Sequence, residues 1–282
     1  MISEESRLRY EESGFLIVES LFSSDEVKSM RQALSDIVDQ TGESAPKLDL
    51  ETEDDGGRNP IRRLINPLDY PAFQAFVQDE RLLSILRILL GKHIRRGAGK
   101  INMKPARVGT AVEWHQDWAF NPYTNDSLLT VSVFIDDVTL DNAPIQVLPG
   151  SHRGPVYDHH SNGEFVGVID PDVIRRQSDA MVPMTGPAGS CSFHHVRLVH
   201  GSDRNRSDAD RRMFVFPAIA GNAWPLAASK TTLEQMYGTI LSGNVVIAPK
   251  LVDVPVRVPV PIPKGVRSIF QAQALAPKKY FE

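Results

Sequence analysis

The chain has 282 residues, 41% of them hydrophobic and 23% charged, a composition ordinary for a globular protein and long enough for one large domain. The net charge of −4 gives no electrostatic reason to expect a nucleic-acid partner, and no apolar run approaches the ~18 residues needed to span a membrane. The single cysteine, Cys191, excludes an intramolecular disulfide. With the opening Met1-Ile2-Ser3-Glu4-Glu5, which lacks a basic region and an apolar core, this points to a cytoplasmic protein without a signal peptide.

The first third reads as helical with one early strand. Residues 4–11 form a short charged helix, and Gly14 to Val18 a short buried strand. Ser23-Ser24-Asp25-Glu26 is a helix start, followed by apolar residues at Val27, Met30, Leu34, Ile37 and Val38 in helical spacing. Residues 41–60 are acidic, punctuated by Gly and Pro, and aperiodic; a mobile loop is expected, either a lid over a site or a solvated connection. Residues 70–91 predict two helices, the second over Arg81 to Leu90.

From about residue 93 short strand candidates follow one another: 94–103, 111–115, 127–135, 143–148, 182–184, 190–199 and 212–218. Strands at this rhythm, after clustered helices, predict a mainly β, α+β architecture whose core is a sandwich, barrel or jelly roll. No linker divides the chain, so one domain over 1–282 is expected: helical to about 92, a strand-rich core to about 220, then an extension. That extension carries a proline-rich run, Val252 to Pro263, which predicts an extended or edge segment covering a sheet edge, walling the site or joining a homo-oligomer interface.

Trp114-His115-Gln116-Asp117 contains the residues with the clearest chemistry. Positions two apart on a strand share a face, so His115 and Asp117 can point together while Gln116 turns away. Two imidazoles and a carboxylate can hold one face of iron(II) and leave the other open, but the second imidazole must come from elsewhere. The chain has eight histidines. The context Val199-His200-Gly201-Ser202, closing a strand that includes Phe193-His194-His195, favours His200. His194 and His195 compete, and a structural role is the reading for both. His93, His152, His159 and His160 fall at a helix end, a turn and a polar loop.

At this point the chain resembles the phytanoyl-CoA dioxygenase family of iron(II)/2-oxoglutarate oxygenases. The matching segments are Trp114 to Asp117, Val147-Leu148-Pro149-Gly150-Ser151-His152, Leu198 to Ser202, Asn205-Arg206-Ser207 with Arg211-Arg212, and the opening Tyr10 to Val18. The resemblance covers roughly residues 8–220, and the order of the motifs is more specific than any one of them. It implies a double-stranded β-helix (jelly roll, cupin-like) core over about 93–220 with N-terminal helices packed outside, and His115, Asp117 and His200 as iron ligands, with Arg211, eleven residues after His200, receiving the far carboxylate of 2-oxoglutarate. Guanidinium suits that task because it is planar and bidentate. Arg212 should face the opposite way. Lys100, Asn102 and Lys104 alternate on the strand before the metal motif, so Lys100 or Asn102 is expected to touch 2-oxoglutarate, with Thr130 another candidate. Trp118, Phe120 and Gln146 are candidates for the substrate pocket, although core packing explains the aromatics equally well.

The chain departs from the family at Asp141-Asn142-Ala143-Pro144, where an Asn-Gly pair is common, and beyond residue 220. The implied activity is oxidation, first of all hydroxylation, of a small or medium metabolite with iron(II), 2-oxoglutarate and O2, releasing succinate and CO2. Secondary metabolism is the expected setting. An intact Asp117 argues against halogenation; desaturation, epoxidation and ring formation stay open. The rival from another class is a non-catalytic jelly-roll metal-binding or sensor protein.

Overall fold

The computed structural model describes residues 2–39, 50–53, 60–227, 232–257, 263–266 and 268–281. Helix α1 (Glu4–Ser13) starts at Ser3, whose hydroxyl accepts the Ser6 N–H, and stops at Gly14, where φ is +82°. A side chain there would also strike the His152 ring, so glycine is required twice over. Strand β1 (Phe15–Val18) leads into α2 (Ser24–Asp39), opened by a reciprocal Ser23–Glu26 cap. Helix α2 buries Val27, Met30, Leu34 and Ile37, the stripe its spacing predicts.

Most of the expected 41–60 loop lies outside the described residues. Its described portion is not loop: β2 (Leu50–Thr52) pairs with β3 (Ile61–Ile65). Helices α3 (Pro71–Val77) and α4 (Glu80–Leu90) follow. The one strand expected over 94–103 is two, β4 (Ile94–Arg96) and β5 (Lys100–Lys104). Between them Gly97 and Gly99 lie hard against Pro217 and Leu68, where a Cβ would not fit without displacement.

The remaining elements are β6 (Val112–His115), β7 (Leu128–Phe134), β8 (Ile145–Val147), a hairpin of β9 (His160–Ser161) and β10 (Glu164–Phe165), and α5 (Pro171–Arg175). Then come β11 (Val182–Met184), β12 (Cys191–His195), β13 (His200–Ser202), β14 (Arg211–Ala220), α6 (Leu233–Tyr237), β15 (Ile240–Ser242) and α7 (Ile269–Ala274).

Two antiparallel sheets make the jelly roll. The larger runs β1-β12-β7-β14-β5-β3-β2, with β4 on β14 and β15 on β4; the smaller runs β11-β8-β13-β6. Two strands of the larger sheet, β2 and β3, thus come from the N-terminal part in addition to the one early strand, β1, expected there. Alternation along the strands divides the larger sheet's chemistry. Ile101, Val131, Val133, Phe193, Phe214 and Phe216 pack with Met30, Leu34, Phe73, Leu82 and Leu86 of the helices. The alternate residues, Lys100, Asn102, Thr130, Ser132, His194 and Arg211, line a cavity facing the smaller sheet.

The expected single strand over 190–199 is also corrected. β12 ends at His195, the chain turns through 196–199, and His200 opens β13 in the other sheet. Gln116 and Arg197 help hold that crossover, since Gln116 Nε2 donates to the Arg197 carbonyl at 2.8 Å.

The tail returns to the barrel. Residues 252–257 lack regular structure, and the rest of the expected proline-rich segment falls largely outside the described residues. Helix α7, which periodicity did not predict, docks on β6 through Gln273: its Oε1 accepts the Glu113 N–H at 2.9 Å, and its Nε2 donates to the carbonyls of Glu113 (3.2 Å) and Gly167 (3.0 Å). The Glu113 carboxylate accepts the Tyr280 N–H at 2.8 Å, and Phe281 stacks on buried Trp114 with ring centroids 5.9 Å apart.

Candidate active site

His115 ends β6 and lies directly opposite His200 in the β6–β13 register. Gln116 keeps the backbone extended (φ −121°, ψ 128°), and Asp117 opens a 3₁₀ turn, Asp117–Ala119. The alternation therefore holds: Asp117 joins His115, and Gln116 turns into the protein, accepting the Tyr157 N–H and donating to the Pro155 and Arg197 carbonyls. Buried His159 fixes the same turn. Its Nε2 accepts the Gln116 N–H at 2.9 Å while Nδ1–H donates to the Tyr157 carbonyl, and burial pulls its pKa down to about 3.

One ligand atom from each of His115, Asp117 and His200 lies within 4.8 Å of the others. Asp117 Oδ1 is 3.7 Å from His115 Nε2 and 3.9 Å from His200 Nε2. Each imidazole donates Nδ1–H to a main-chain carbonyl, His115 to Glu113 at 2.7 Å and His200 to Leu198 at 2.9 Å. Those bonds fix the tautomer and leave both Nε2 lone pairs aimed inward. The Thr130 hydroxyl donates to Asp117 Oδ2 at 2.7 Å, so Thr130 orients the carboxylate. Burial works against ionising Asp117, yet the neighbouring His200, His115 and His194 outweigh it and hold its carboxyl well below the usual range. Burial, reinforced by His115 and His194, pushes His200 well below an ordinary imidazole. The cluster is therefore a carboxylate facing a neutral imidazole lone pair, which is what a divalent cation needs.

Arg211 stands at the far end of the same cavity, 3% exposed. Its Nη1 meets only the Met213 sulfur, at 2.8 Å, and its Nε has no partner among the described residues. Burial lowers its pKa to about 10, so it remains cationic at neutral pH. A buried guanidinium with unused donors is costly unless an anion completes it. Arg212 points the other way, as alternation requires, and holds Asp136 through Nε and Nη2 at 2.7 Å each.

Of the three polar residues on β5, Lys104 sits opposite Arg211, Asn102 opposite Met213 and Lys100 opposite Val215. Lys104 is consumed structurally: its Nζ donates to the carbonyls of Thr110 (2.6 Å), Asp203 (2.5 Å) and Ser202 (3.5 Å). Asn102 and Lys100 both line the cavity with Arg211. This inner cavity has a free volume of about 80 Å³. An outer chamber of about 340 Å³ adjoins it, walled by Lys100, Asp117, Phe120, Phe165 and Ile269.

Phe120 thus borders the metal cluster, its ring 5.7 Å from that of His115. Trp118 and Gln146 do not. Trp118 is 1% exposed in an apolar cluster with Leu128, Val196 and Ile219, and its indole N–H donates to the Pro255 carbonyl. Gln146 is neighbour to Ile145 on β8, and alternation gives the cavity to Ile145 instead. Sequence reasoning named His194 as a competitor but gave it a structural role, whereas its Nε2 lies 3.5 Å from Asp117 Oδ2; its place two residues after Ser192 on an inward face is the signal that could have separated it from His195. It also missed the roof residues Ile269 and Phe270, which no local pattern announces. The ring of Phe270 sits under the Arg62 guanidinium, 4.2 Å away.

A jelly roll whose mouth gathers two imidazoles and a carboxylate, with an uncompensated arginine deeper in the same cavity, defines the iron(II)/2-oxoglutarate oxygenase class. The chain belongs to the phytanoyl-CoA dioxygenase (PhyH) family, whose sequence profile matches residues 10–213. It is 35% identical, over the full length of both chains, to a probable alpha-ketoglutarate-dependent hypophosphite dioxygenase of Stutzerimonas stutzeri. It is 30% identical to an L-proline trans-4-hydroxylase of Streptomyces griseoviridis, over 74% of this chain and 82% of that one. Among solved structures, iron-bound EctD from S. alaskensis superimposes with a TM-score of 0.68 at 25% identity, covering 78% of this chain and 77% of the other.

Proposed function

We propose that this protein is an iron(II)- and 2-oxoglutarate-dependent oxygenase that hydroxylates a small molecule, with His115, Asp117 and His200 holding iron and Arg211 receiving the far carboxylate of 2-oxoglutarate. The observation that carries this reading is the pairing, in one cavity, of three convergent ligand atoms with a buried Arg211 whose Nε has no partner among the described residues and whose Nη1 meets only a thioether sulfur. Bound iron and 2-oxoglutarate supply the oxidising chemistry with O2, releasing succinate and CO2.

The chain's own residues do the rest. Glu113 and Leu198 carbonyls aim the two imidazoles, and Thr130 aims the carboxylate. Arg211 orients the cosubstrate by a bidentate charge-assisted contact. Asn102, between Arg211 and Lys100 on the cavity wall, is placed to donate to it. Helix α7 and Phe120 narrow the mouth and exclude water.

The relatives' names speak of small substrates: hypophosphite, L-proline and ectoine. The full-length relationship to the hypophosphite enzyme makes hypophosphite the first compound to try on this chain. Our reading takes residues 1–282 as one catalytic unit, because strands from both ends of the chain build the larger sheet and α7 roofs the cavity. It places that unit in the cytoplasm, in keeping with one buried free cysteine; among the described residues no helix is long and apolar enough to cross a membrane.

Anaerobic addition of iron(II) and then 2-oxoglutarate to the purified protein should raise a visible charge-transfer band. His115→Ala should abolish it, and Arg211→Ala should weaken 2-oxoglutarate binding by at least about 100-fold, the scale of a lost buried charge-assisted pair. An unchanged band and unchanged cosubstrate affinity in both variants would refute the assignment.

A further inference from the structure

Apart from Arg211, which the reading above gives to the cosubstrate, Lys100 is among the described residues the one cation at the site without an ion-pair or hydrogen-bond partner. Arg63 is paired with Glu51, and Arg62 with Glu51 and Glu53. Three carbonyls satisfy Lys104. Lys100, half-buried, has no acceptor within hydrogen-bond reach among the described residues; burial works against its charge and lowers its pKa, Asp117 and Glu51 favour the charge from a distance, and Arg63 opposes it.

Its position separates it from the cosubstrate's far carboxylate. Lys100 is opposite Val215, four residues along β14 from Arg211, which is about 14 Å of strand. It belongs instead to the Asp117 end, where it borders both the inner cavity and the outer chamber.

The charges there are otherwise balanced, on the site reading given above. Iron(II) and Arg211 together match Asp117 and a 2-oxoglutarate dianion, and one positive charge, that of Lys100, is left over. Among the described residues the outer chamber contains no carboxylate besides Asp117; Arg63 also borders it but is paired with Glu51, and most of the remaining wall is apolar: Phe120, Phe165, Val266, Ile269 and Ala272. A small apolar-walled chamber with a single uncommitted cation selects for a compact anion and sets its orientation.

We propose that Lys100 anchors the substrate, and that the substrate is a small monoanion bound in the chamber between Asp117, Phe120 and α7. The inference rests on the iron and 2-oxoglutarate reading and adds to it the substrate class and the residue that recognises it. Lys100 is then assigned to substrate, where the sequence resemblance suggested cosubstrate.

The test uses the full chain loaded anaerobically with iron(II) and 2-oxoglutarate. Hypophosphite and formate are the monoanionic probes; formamide and L-proline are neutral and zwitterionic comparators. Binding is read by calorimetry and by perturbation of the visible band. A monoanion should bind, the comparators should bind at least tenfold more weakly, and Lys100→Met should weaken the monoanion by about 10- to 100-fold. The same variant should change 2-oxoglutarate affinity by less than threefold, and Lys100→Arg should restore most of the anion affinity. Equal binding of formamide and formate, failure of either anion to bind a protein that shows the band, or an equal loss of 2-oxoglutarate affinity in Lys100→Met would each overturn the proposal. Absence of the band in the unaltered protein would instead bring down the metal reading, and this inference with it. Should Lys100→Met fail to fold, the ranking of anionic, neutral and zwitterionic probes on the unaltered protein decides the question.

Discussion

Replacing Gln273 by leucine tests whether the tail is part of the site. Gln273 is 4% exposed, and its amide makes three hydrogen bonds, two to the main chain of Glu113 and one to the Gly167 carbonyl. Leucine is nearly the same size but leaves these main-chain groups without their amide partner in a buried place. Each bond is worth about 1 kcal/mol net, and desolvated groups left behind raise the cost, so about 2–4 kcal/mol is expected. The penalty should fall on the docking of α7 rather than on the whole barrel, because the Tyr280 N–H still reaches the Glu113 carboxylate and Phe281 still stacks on Trp114. Even 2 kcal/mol corresponds to about a 30-fold rise in the local opening equilibrium. Amide exchange over residues 269–274 should accelerate by that factor while β7 and β14 remain protected. A secondary effect on the metal follows, since the Glu113 carbonyl that takes the Gln273 amide also takes His115 Nδ1–H. Exchange over α7 within threefold of the parent protein would refute the claim that this amide holds the roof in place.

Thr130→Val removes the hydroxyl that orients Asp117, and should lower iron affinity by about 10-fold with 2-oxoglutarate affinity at saturating iron little changed; the reverse pattern, in parallel iron and cosubstrate titrations, would return Thr130 to the cosubstrate. Arg212→Met should cost about 1–3 kcal/mol in a urea titration by leaving Asp136 with the main-chain N–H of residue 212 at 2.9 Å and Arg31 at 3.3 Å in place of the guanidinium, yet spare cosubstrate binding, because this side chain faces away from the cavity. Acid should destabilise the fold through His159. Burial holds this imidazole neutral down to about pH 3, whereas in the unfolded chain it takes up a proton near pH 6.5, so its contribution is complete above pH 6.5 and is lost as pH falls toward 3. The loss amounts to at most roughly 5 kcal/mol, and His159→Gln, which has no such proton to gain, should flatten that limb of the stability curve.

Much of the site was legible because strand alternation is a local rule. It placed His115 with Asp117, turned Gln116 away, and set Arg211 and Arg212 on opposite faces. The same rule put Lys100, Asn102 and Lys104 on one side but could not separate their tasks. Those tasks depend on what meets each ammonium: three carbonyls for Lys104, an open chamber for Lys100. The aromatic candidates divided for a related reason. Trp118 and Phe120 are equally apolar in sequence, and only the turn after His115 sends one into the Leu128 cluster and the other to the mouth.

Local periodicity and residue chemistry alone determined the helical stripe of α2, the run of short strands and the set of residues able to hold iron and a dicarboxylate. Tertiary structure decided where they meet. The crossover after His195 carries His200 into the second sheet, opposite His115, which no pattern within 190–202 encodes. The return of α7 over the cavity depends on one amide finding main-chain groups 160 residues earlier, a contact that leaves no periodic trace in either segment. Long-range partners of this kind fix the shape and charge of the chamber, and so the substrate, while the reaction class is already written in the short motifs.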